Sequence, residues 1–211
     1  MNPALLVVLS YLLGAIPTSY WVGRWGYGVD LRERGSGNLG ATNVYRVLGW
    51  KAALPVVVVD VAKGFIPAWL FPRLDAGPWT WALGYGTAAV LGHVYSVWVR
   101  FRGGKGVATS AGVLAGLAPA ATLVGLSVWL VTVLATRMVA LGSVLAALSI
   151  PAAVWLFAGE ESAPLFGFTL AIASLVIWAH RTNLGRIARG EEHRFGRGRP
   201  RHVAPPGERE Q

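Results

Sequence analysis

Five long apolar runs dominate the sequence and predict membrane-spanning helices. Each has close to the ~20 residues that an α-helix needs to cross the hydrocarbon core of a bilayer. The runs cover residues 4–23, 52–71, 78–99, 139–159 and 163–179. Apolar runs of this length exceed the usual length of buried strands, so the pattern predicts an all-α integral membrane protein.

A sixth stretch, 106–135, contains no charged residue and is too long for one crossing. At ~1.5 Å per residue it would extend about 45 Å, against a hydrocarbon core of about 30 Å. Ala118-Pro119 is the natural break, because proline disfavours helix at the preceding residue and can begin a new one. The sequence therefore predicts two short helices here and seven transmembrane helices in total.

The positive charges predict the orientation, because short cytoplasmic loops are enriched in Lys and Arg. With seven helices, one side receives all of the 19 Lys and Arg residues except Lys63 and Arg73. With six helices, the basic segment after residue 180 would lie across the membrane from the basic loops 24–51 and 100–105. We therefore expect the N-terminus outside and the C-terminus in the cytoplasm.

Composition agrees with this interpretation and excludes some chemistry. The chain is 54% hydrophobic and 14% charged, with a net charge of +9 and no cysteine, which excludes a thiolate nucleophile and a cysteine metal site. Residues 1–196 are predicted to form the membrane domain, and 197–211 a basic, disordered cytoplasmic tail. Positive charge beside a transmembrane helix is explained by anionic lipid head groups, so we expect no nucleic-acid partner.

Three polar clusters beside the apolar runs contain the candidate chemistry. Glycine lets backbone N–H groups approach an anion, and Arg46 and Lys105 add positive charge nearby. Neutral hydrogen-bonding groups come from Ser36, Asn38, Thr42 and Asn43. The predicted topology puts all three clusters on the cytoplasmic side, which favours a site for phosphate-bearing substrates over flexible loops. The clusters are GSGNLGATN at 35–43, FRGGKGVATS at 101–110 and HRTNLGR at 180–186.

Neither glycine cluster fits a nucleotide-binding loop. The G-x-G-x-x-G at Gly35, Gly37 and Gly40 lacks the preceding strand that a dinucleotide fold requires. The GGKG segment departs from the P-loop, because Val99 replaces its first glycine and Gly106 replaces the Ser/Thr that binds magnesium. What remains is a general anion-binding pattern.

Ionisable residues within or at the ends of the apolar runs are further candidates. Either His93 or His180 could accept a proton from a hydroxyl or hydrogen-bond a phosphate, although an interfacial histidine with a backbone partner is as good an interpretation of each. Asp60 and Lys63 share a helix face, which favours a structural ion pair over direct catalysis. The sequence has no G-x-S-x-G elbow and no H-E-x-x-H motif, so we expect no serine nucleophile and no metal site.

Two other classes of function compete with an enzyme. A small organophosphate or anion transporter would need polar residues deep in several helices, whereas only Asp60 and Lys63 are ionised well inside the runs. A structural scaffold would not require glycine-rich loops.

Four motifs in the same order give a specific resemblance that extends over about residues 3–196. They resemble the bacterial membrane acyl-phosphate:glycerol-3-phosphate acyltransferase family. The resemblance implies transfer of a fatty acyl group from acyl-phosphate to the 1-hydroxyl of glycerol 3-phosphate, which gives lysophosphatidate and phosphate in phospholipid biosynthesis. It also implies the bacterial inner membrane, no cofactor, and transient contact with the soluble enzyme that makes acyl-phosphate. The motifs are GSGNLGATNVYRVLG at 35–49, DVAKG at 60–64, GHVYSVWVRFRGGKGVAT at 92–109 and HRTNLGRIARGEEHR at 180–194.

The resemblance also suggests roles for individual residues. Lys105 is expected to hold one phosphate and to stabilise the charge of the leaving group. His93 is the first candidate for the base and His180 the second, with a phosphate oxygen of the donor as the alternative. Substrate binding is expected from Ser36, Gly37, Asn38, Thr42, Asn43, Arg46, Gly103, Gly104, Gly106, Asn183 and Arg186, with Asp60, Lys63 and Glu192 in supporting positions.

Overall fold

A computed structural model describes residues 1–158 and 162–196, and all regular secondary structure within these residues is helical. The predicted disordered tail, 197–211, lies outside the described residues. Short 3₁₀ turns at Phe71–Arg73 and Val97–Val99 follow two of the helices. The helices are α1 Pro3–Ala15, α2 Thr18–Trp21, α3 Ala41–Leu48, α4 Trp50–Trp69, α5 Trp81–Val94, α6 Val107–Leu117, α7 Pro119–Thr136, α8 Val139–Ala158, α9 Ala163–Ala179 and α10 Arg181–Ala188.

The helices agree with the prediction of a multi-pass membrane protein. Within the described ranges, four helical segments are long and apolar enough to cross a bilayer, and the pair α9 and α10, bent by 58°, is a fifth candidate. The four segments are Pro3–Gly26, Trp50–Arg73, Pro119–Thr136 and Val139–Phe157. The helices α5 and α6 have only 14 and 11 residues, so the number of seven crossings stays a prediction.

The predicted break in the long uncharged stretch is confirmed. The helix α6 ends at Leu117 and α7 begins at Pro119, where proline occupies the first helical position. The carbonyl oxygen of Ala118 accepts hydrogen bonds from the N–H and from the hydroxyl of Thr122, which closes the first turn of α7.

The first apolar run is not one continuous helix, in contrast to the prediction. It ends at Ala15, resumes at Thr18 and continues as a π-helical turn over Val22–Gly26. Pro17 explains the break, because proline has no N–H and disfavours the helical conformation at Ile16. The third run, 78–99, is likewise shorter as a helix, since α5 ends at Val94.

The described residues divide into two compact units after Val113. In the first unit, α1 packs on α5 and α3 packs on α4. A buried apolar cluster fixes the polar segment before α4 to the start of that helix, and it includes Leu31, Leu39, Val44, Val47, Leu48, Ala52, Ala53, Val56 and Val99. In the second unit, α8 packs between α7 and α9.

The backbones of α4 and α6 approach closely within the first unit. A Cβ added at Gly64 would overlap the carbonyl oxygen of Thr109, and a Cβ added at Gly112 would overlap that of Val61. Small residues permit this spacing between helices in membranes. The contact places the start of α6, and so the loop before it, beside α4.

Candidate active site

The first glycine-rich loop, 35–43, is folded around one buried amide. Asn43 is 2% exposed, and its Oδ1 accepts the N–H of Ser36 at 2.8 Å. Its Nδ2 donates to the carbonyl oxygens of Leu31 at 3.1 Å and Arg34 at 3.0 Å. Gly35 has φ of 61° in this turn, where a side chain would also overlap Asn43. The loop therefore has a fixed shape, and it leads into α3, which contains Thr42 and Arg46.

An ion pair precedes this loop. Arg32 donates to Asp30 through Nη2 at 2.6 Å and Nε at 3.0 Å, and the Arg32 N–H adds a bond of 3.0 Å. The hydrogen bonds from the Arg32 side chain are the main reason why the pKa of Asp30 is lowered below its ordinary value. The guanidinium also lies over the ring of Tyr20, 4.8 Å from its centroid.

The second glycine-rich loop, 101–110, is bound to the end of α5. The N–H of Gly103 donates to the carbonyl oxygen of Val94 at 3.0 Å, and that of Gly104 to His93 at 3.1 Å. Both N–H groups thus have partners on α5, and these bonds hold the loop against the end of that helix. Gly106, with φ of 79°, then turns the chain into α6.

The two loops meet within the first unit. A Cβ added at Gly104 would overlap Nε2 of His93 and would lie 3.0 Å from the carbonyl oxygen of Leu39. The same carbonyl oxygen of Leu39 accepts a hydrogen bond from the hydroxyl of Ser19 at 2.8 Å. The structure thus brings together the first two predicted clusters, with glycine required where they touch.

A small polar cavity lies at this junction. It has room for about one water molecule. The lining comes from five segments: Ala15 to Ser19, Leu39, Asp60 and Lys63, His93 and Ser96, and Gly103 and Gly104.

Asp60 and Lys63 form the predicted ion pair, and both are buried. Nζ of Lys63 lies 2.8 Å from Oδ1 of Asp60 and donates to the carbonyl oxygen of Ile16 at 2.8 Å. Nδ1 of His93 lies 3.8 Å from the same Asp60 oxygen. His93 is itself only 7% exposed, so its imidazole lies beneath the second loop.

The third cluster forms its own network within the second unit. The buried carboxylate of Glu192 accepts from Nδ2 of Asn183 and from Nε of Arg186, each at 2.8 Å. Nδ1 of His180 lies 2.8 Å from the carbonyl oxygen of Val176. Glu192 thus binds both side chains and holds them in one network.

An apolar groove along α1 adjoins the polar cavity in the first unit. Its volume is about 470 Å³, within the range of small-molecule sites. Ile16 belongs to both linings, which makes the two spaces neighbours. The groove is lined by Leu9, Leu12, Leu13, Ile16, Trp21, Phe71 and Trp98.

Sequence reasoning missed this groove and several cavity residues. The groove joins residues that are far apart in the sequence, and its side chains look like ordinary lipid-facing residues. Pro17 was the available signal, because a proline at the end of an apolar run interrupts the helix. Within residues 1–158 and 162–196, no group of three His, Asp or Glu side chains is arranged to hold a metal ion.

These features define an all-helical, multi-pass membrane protein with a polar site where two glycine-rich loops meet beside an apolar groove. Comparison with known proteins indicates one family. Residues 4–190 match the family model described as glycerol-3-phosphate acyltransferase. The chain belongs to the glycerol-3-phosphate acyltransferase family.

Individual relatives agree over almost the whole chain. The glycerol-3-phosphate acyltransferase of Synechococcus sp. (strain JA-2-3B'a(2-13)) is 47% identical over 197 residues, which cover 93% of this chain and 96% of the relative. That of Geobacter sulfurreducens is 42% identical, with 92% and 98% covered.

A solved structure is also similar. The crystal structure of PlsY, an integral membrane glycerol 3-phosphate acyltransferase in its glycerol 3-phosphate form, has a TM-score of 0.85 and 40% identity, with 92% of this chain and 96% of that chain covered. Its lysophosphatidic acid form has a TM-score of 0.83. The present protein is thus an acyltransferase of phospholipid biosynthesis, which decides against the transporter and the scaffold.

Proposed function

We propose that this enzyme transfers a fatty acyl group from an acyl-phosphate to the 1-hydroxyl of glycerol 3-phosphate. The products are lysophosphatidate and inorganic phosphate, and no cofactor or metal takes part. One observation carries the proposal: the two glycine-rich loops meet beside an apolar groove of about 470 Å³. Both substrates carry phosphate, and one of them carries a long alkyl chain.

Lys105 and the N-terminus of α6 bind one phosphate. The first N–H groups of a helix have no intrahelical partner, and they favour an anion. Gly106 turns the chain directly into α6, so Lys105 precedes these N–H groups by two residues. In this position its ammonium stabilises the charge that develops on the leaving phosphate.

The first loop and the third cluster supply the remaining substrate contacts. Ser36, with its hydroxyl, and Arg46 bind phosphate, assisted by Gly37, Asn38 and Thr42. Asn43 shapes the loop, because both ends of its amide already have partners within it. His180, Asn183 and Arg186 bind substrate as well, and Glu192 orients the last two.

The reaction needs no nucleophile from the protein, because an acyl-phosphate is a mixed anhydride and already activated. The glycerol oxygen bonds to the acyl carbon, the bond from that carbon to the phosphate oxygen breaks, and the hydroxyl proton passes to a base. His93 and His180 are candidate bases, but the burial of His93 beneath the loop favours a phosphate oxygen of the donor. A modest loss of activity in both His93→Ala and His180→Ala would support the phosphate route.

The groove along α1 receives the alkyl chain of the donor. It begins at Ile16, next to the polar cavity, so a chain in the groove would extend from a head group held near the loops. Trp21, Trp98 and Phe71 add aromatic surface to the lining. Burying apolar area contributes roughly 25 cal/mol per Å², which supplies affinity without a specific polar contact.

The enzyme acts in the bacterial inner membrane, with seven crossings, the N-terminus outside and the C-terminus in the cytoplasm. The charge distribution supports this orientation, because Lys and Arg collect on the cytoplasmic side. A cytoplasmic site is also accessible to glycerol 3-phosphate and to transient contact with the soluble enzyme that makes acyl-phosphate.

Donor comparison tests the proposed reaction. Purified protein in detergent would receive radiolabelled glycerol 3-phosphate with palmitoyl-phosphate, palmitoyl-coenzyme A or palmitoyl-acyl carrier protein, and lysophosphatidate and phosphate would be measured. We expect product from palmitoyl-phosphate alone, with one phosphate released per product. Product from either thioester, but none from palmitoyl-phosphate, would show that the donor is wrong.

A further inference from the structure

The buried ion pair of α4 lies beneath the junction of the two glycine-rich loops. Asp60 is 1% exposed and Lys63 is 3% exposed. Ionised side chains inside a membrane segment are expensive, and they are retained where they pair and serve a function. A membrane helix is stable in lipid without charged side chains. The residues that Asp60 and Lys63 contact therefore indicate what the pair does.

Each member of the pair contacts a different neighbouring segment. Lys63 donates to the carbonyl oxygen of Ile16, the residue where α1 breaks. Asp60 faces Nδ1 of His93 at 3.8 Å. The pair therefore links the break in α1 to the end of α5.

His93 extends this link to the second loop. Its other ring nitrogen, Nε2, packs so closely on Gly104 that no Cβ fits between them. Its carbonyl oxygen accepts the N–H of Gly104 at 3.1 Å, and Val94 accepts that of Gly103 at 3.0 Å. Ring and backbone of one residue thus fix the loop immediately before Lys105.

Packing alone would not need these charges. The contact of α4 with α6 is made at Gly64 and Gly112 against backbone carbonyl oxygens of Thr109 and Val61, so it does not use the charged groups. Well-packed apolar residues often replace a buried ion pair without loss of stability. An ion pair differs from apolar residues because its hydrogen bonds fix the direction and the distance of the groups that it contacts.

We propose that Asp60 and Lys63 are positioning residues, which act through His93 and the Ile16 carbonyl to hold the 103–106 loop in its phosphate-binding geometry. This inference rests on the proposed role of that loop, but it does not depend on the acyl donor. Neither side chain contacts substrate. A shift of about 1 Å in a substrate-positioning group is enough to cost about 100-fold in rate.

The decisive variant removes both charges together. Asp60→Leu or Lys63→Met alone leaves one buried charge unpaired and should lower the thermal unfolding temperature strongly. The double variant Asp60→Leu/Lys63→Met should recover most of that loss, whereas its kcat/KM for glycerol 3-phosphate stays reduced by about ten-fold or more. Val58→Met, a lipid-facing substitution on the same helix, serves as the control.

Two further measurements distinguish positioning from a purely structural role. The kcat should fall while the KM values of both substrates change little, because the loop places Lys105 where charge develops on the leaving group in the transition state. Asp60→Asn, which keeps the side-chain volume, should accelerate hydrogen exchange in residues 101–107 while α4 itself remains protected. A folded double variant with wild-type kcat/KM, or unchanged exchange in Asp60→Asn, would overturn the proposal.

The test is separable from that of the donor. If the wild type used palmitoyl-coenzyme A instead of palmitoyl-phosphate, the same kinetics for glycerol 3-phosphate would be measured with that donor. Failure of the proposed donor and failure of the positioning role therefore give different results.

Discussion

Gly104 lies at the contact between the two glycine-rich loops, where no side chain fits. It lies between Nε2 of His93 and the carbonyl oxygen of Leu39, which belongs to the other loop. A methyl group at this position would press on the backbone carbonyl oxygen of Leu39. The overlap can be removed only if one of the two loops moves. Glycine is therefore needed at this position for packing.

We predict that Gly104→Ala lowers kcat/KM for glycerol 3-phosphate by about 10- to 100-fold, because the displaced loop carries Lys105 out of position. Gly84→Ala is the matched control on α5, where the nearest atom to an added Cβ is at an ordinary 3.7 Å. Steady-state kinetics of both variants checks this. Equal activity in the two would mean that the loops tolerate displacement.

The Asp30–Arg32 pair gives a prediction for pH. The pKa of Asp30 lies below its ordinary value of 3.8 because of the Arg32 hydrogen bonds, so ionisation of this carboxyl stabilises the folded state. That stabilisation is complete above the unfolded pKa and disappears as the pH falls through the lowered folded pKa. We expect the gap in unfolding temperature between wild type and Asp30→Asn to be present at about pH 7 and to close toward about pH 3. A gap that stays constant over this range would contradict the assignment.

At the scale of elements, α1 shapes both halves of the site. Its end at Ile16 accepts the Lys63 hydrogen bond, and its Leu9, Leu12 and Leu13 line the apolar groove. Phe71 is held at the groove by an edge-to-face contact with Tyr85, with ring centroids 6.0 Å apart. The hydroxyl of Tyr85 contacts Asp75, so the aromatic wall is anchored.

Removal of this wall should change the preferred chain length. We expect Phe71→Ala to raise the ratio of kcat/KM for stearoyl- over myristoyl-phosphate by about three-fold, because added methylenes gain apolar contact. Trp79→Ala, an exposed aromatic outside the groove, should leave the ratio unchanged. A chain-length profile that moves equally in both variants, or in neither, would remove the groove from the site.

The helices that are marked by long apolar runs were predictable from the sequence. Elements that depend on contacts between distant segments were not. Apolar length predicted the long helices, and Pro119 predicted the break after α6. The helix α3 was missed because its buried residues, Val44, Val47 and Leu48, lie in a segment with many polar positions. Its short apolar face gains stability from packing on α4, which sequence length alone does not indicate.

For the whole molecule, the distribution of basic residues predicts the orientation in the membrane. The native chain contains no cysteine, which makes single-cysteine labelling simple. In intact cells, a membrane-impermeant maleimide should label Ala76→Cys and Ala120→Cys. It should label Lys51→Cys and Arg189→Cys only after permeabilisation. External labelling of Arg189→Cys would contradict seven crossings, because it would put the last helix in the opposite direction.

The site shows where sequence reasoning ends. The residue types that bind phosphate were evident from glycine, Arg46 and Lys105, but the partners of individual amides were not. Gly103 and Gly104 donate to carbonyl oxygens of α5, and the sequence does not indicate these partners. Which N–H is available depends on a contact between segments, and that contact is fixed only by the fold.

The central claim is that the second glycine-rich loop holds a reacting phosphate. The most direct test is acyl transfer from palmitoyl-phosphate to glycerol 3-phosphate by purified Lys105→Ala, beside wild type and the exposed control Lys51→Ala. We predict that folded Lys105→Ala loses about 100-fold or more in kcat/KM, while Lys51→Ala stays close to wild type. A folded Lys105→Ala enzyme with wild-type activity would contradict the account.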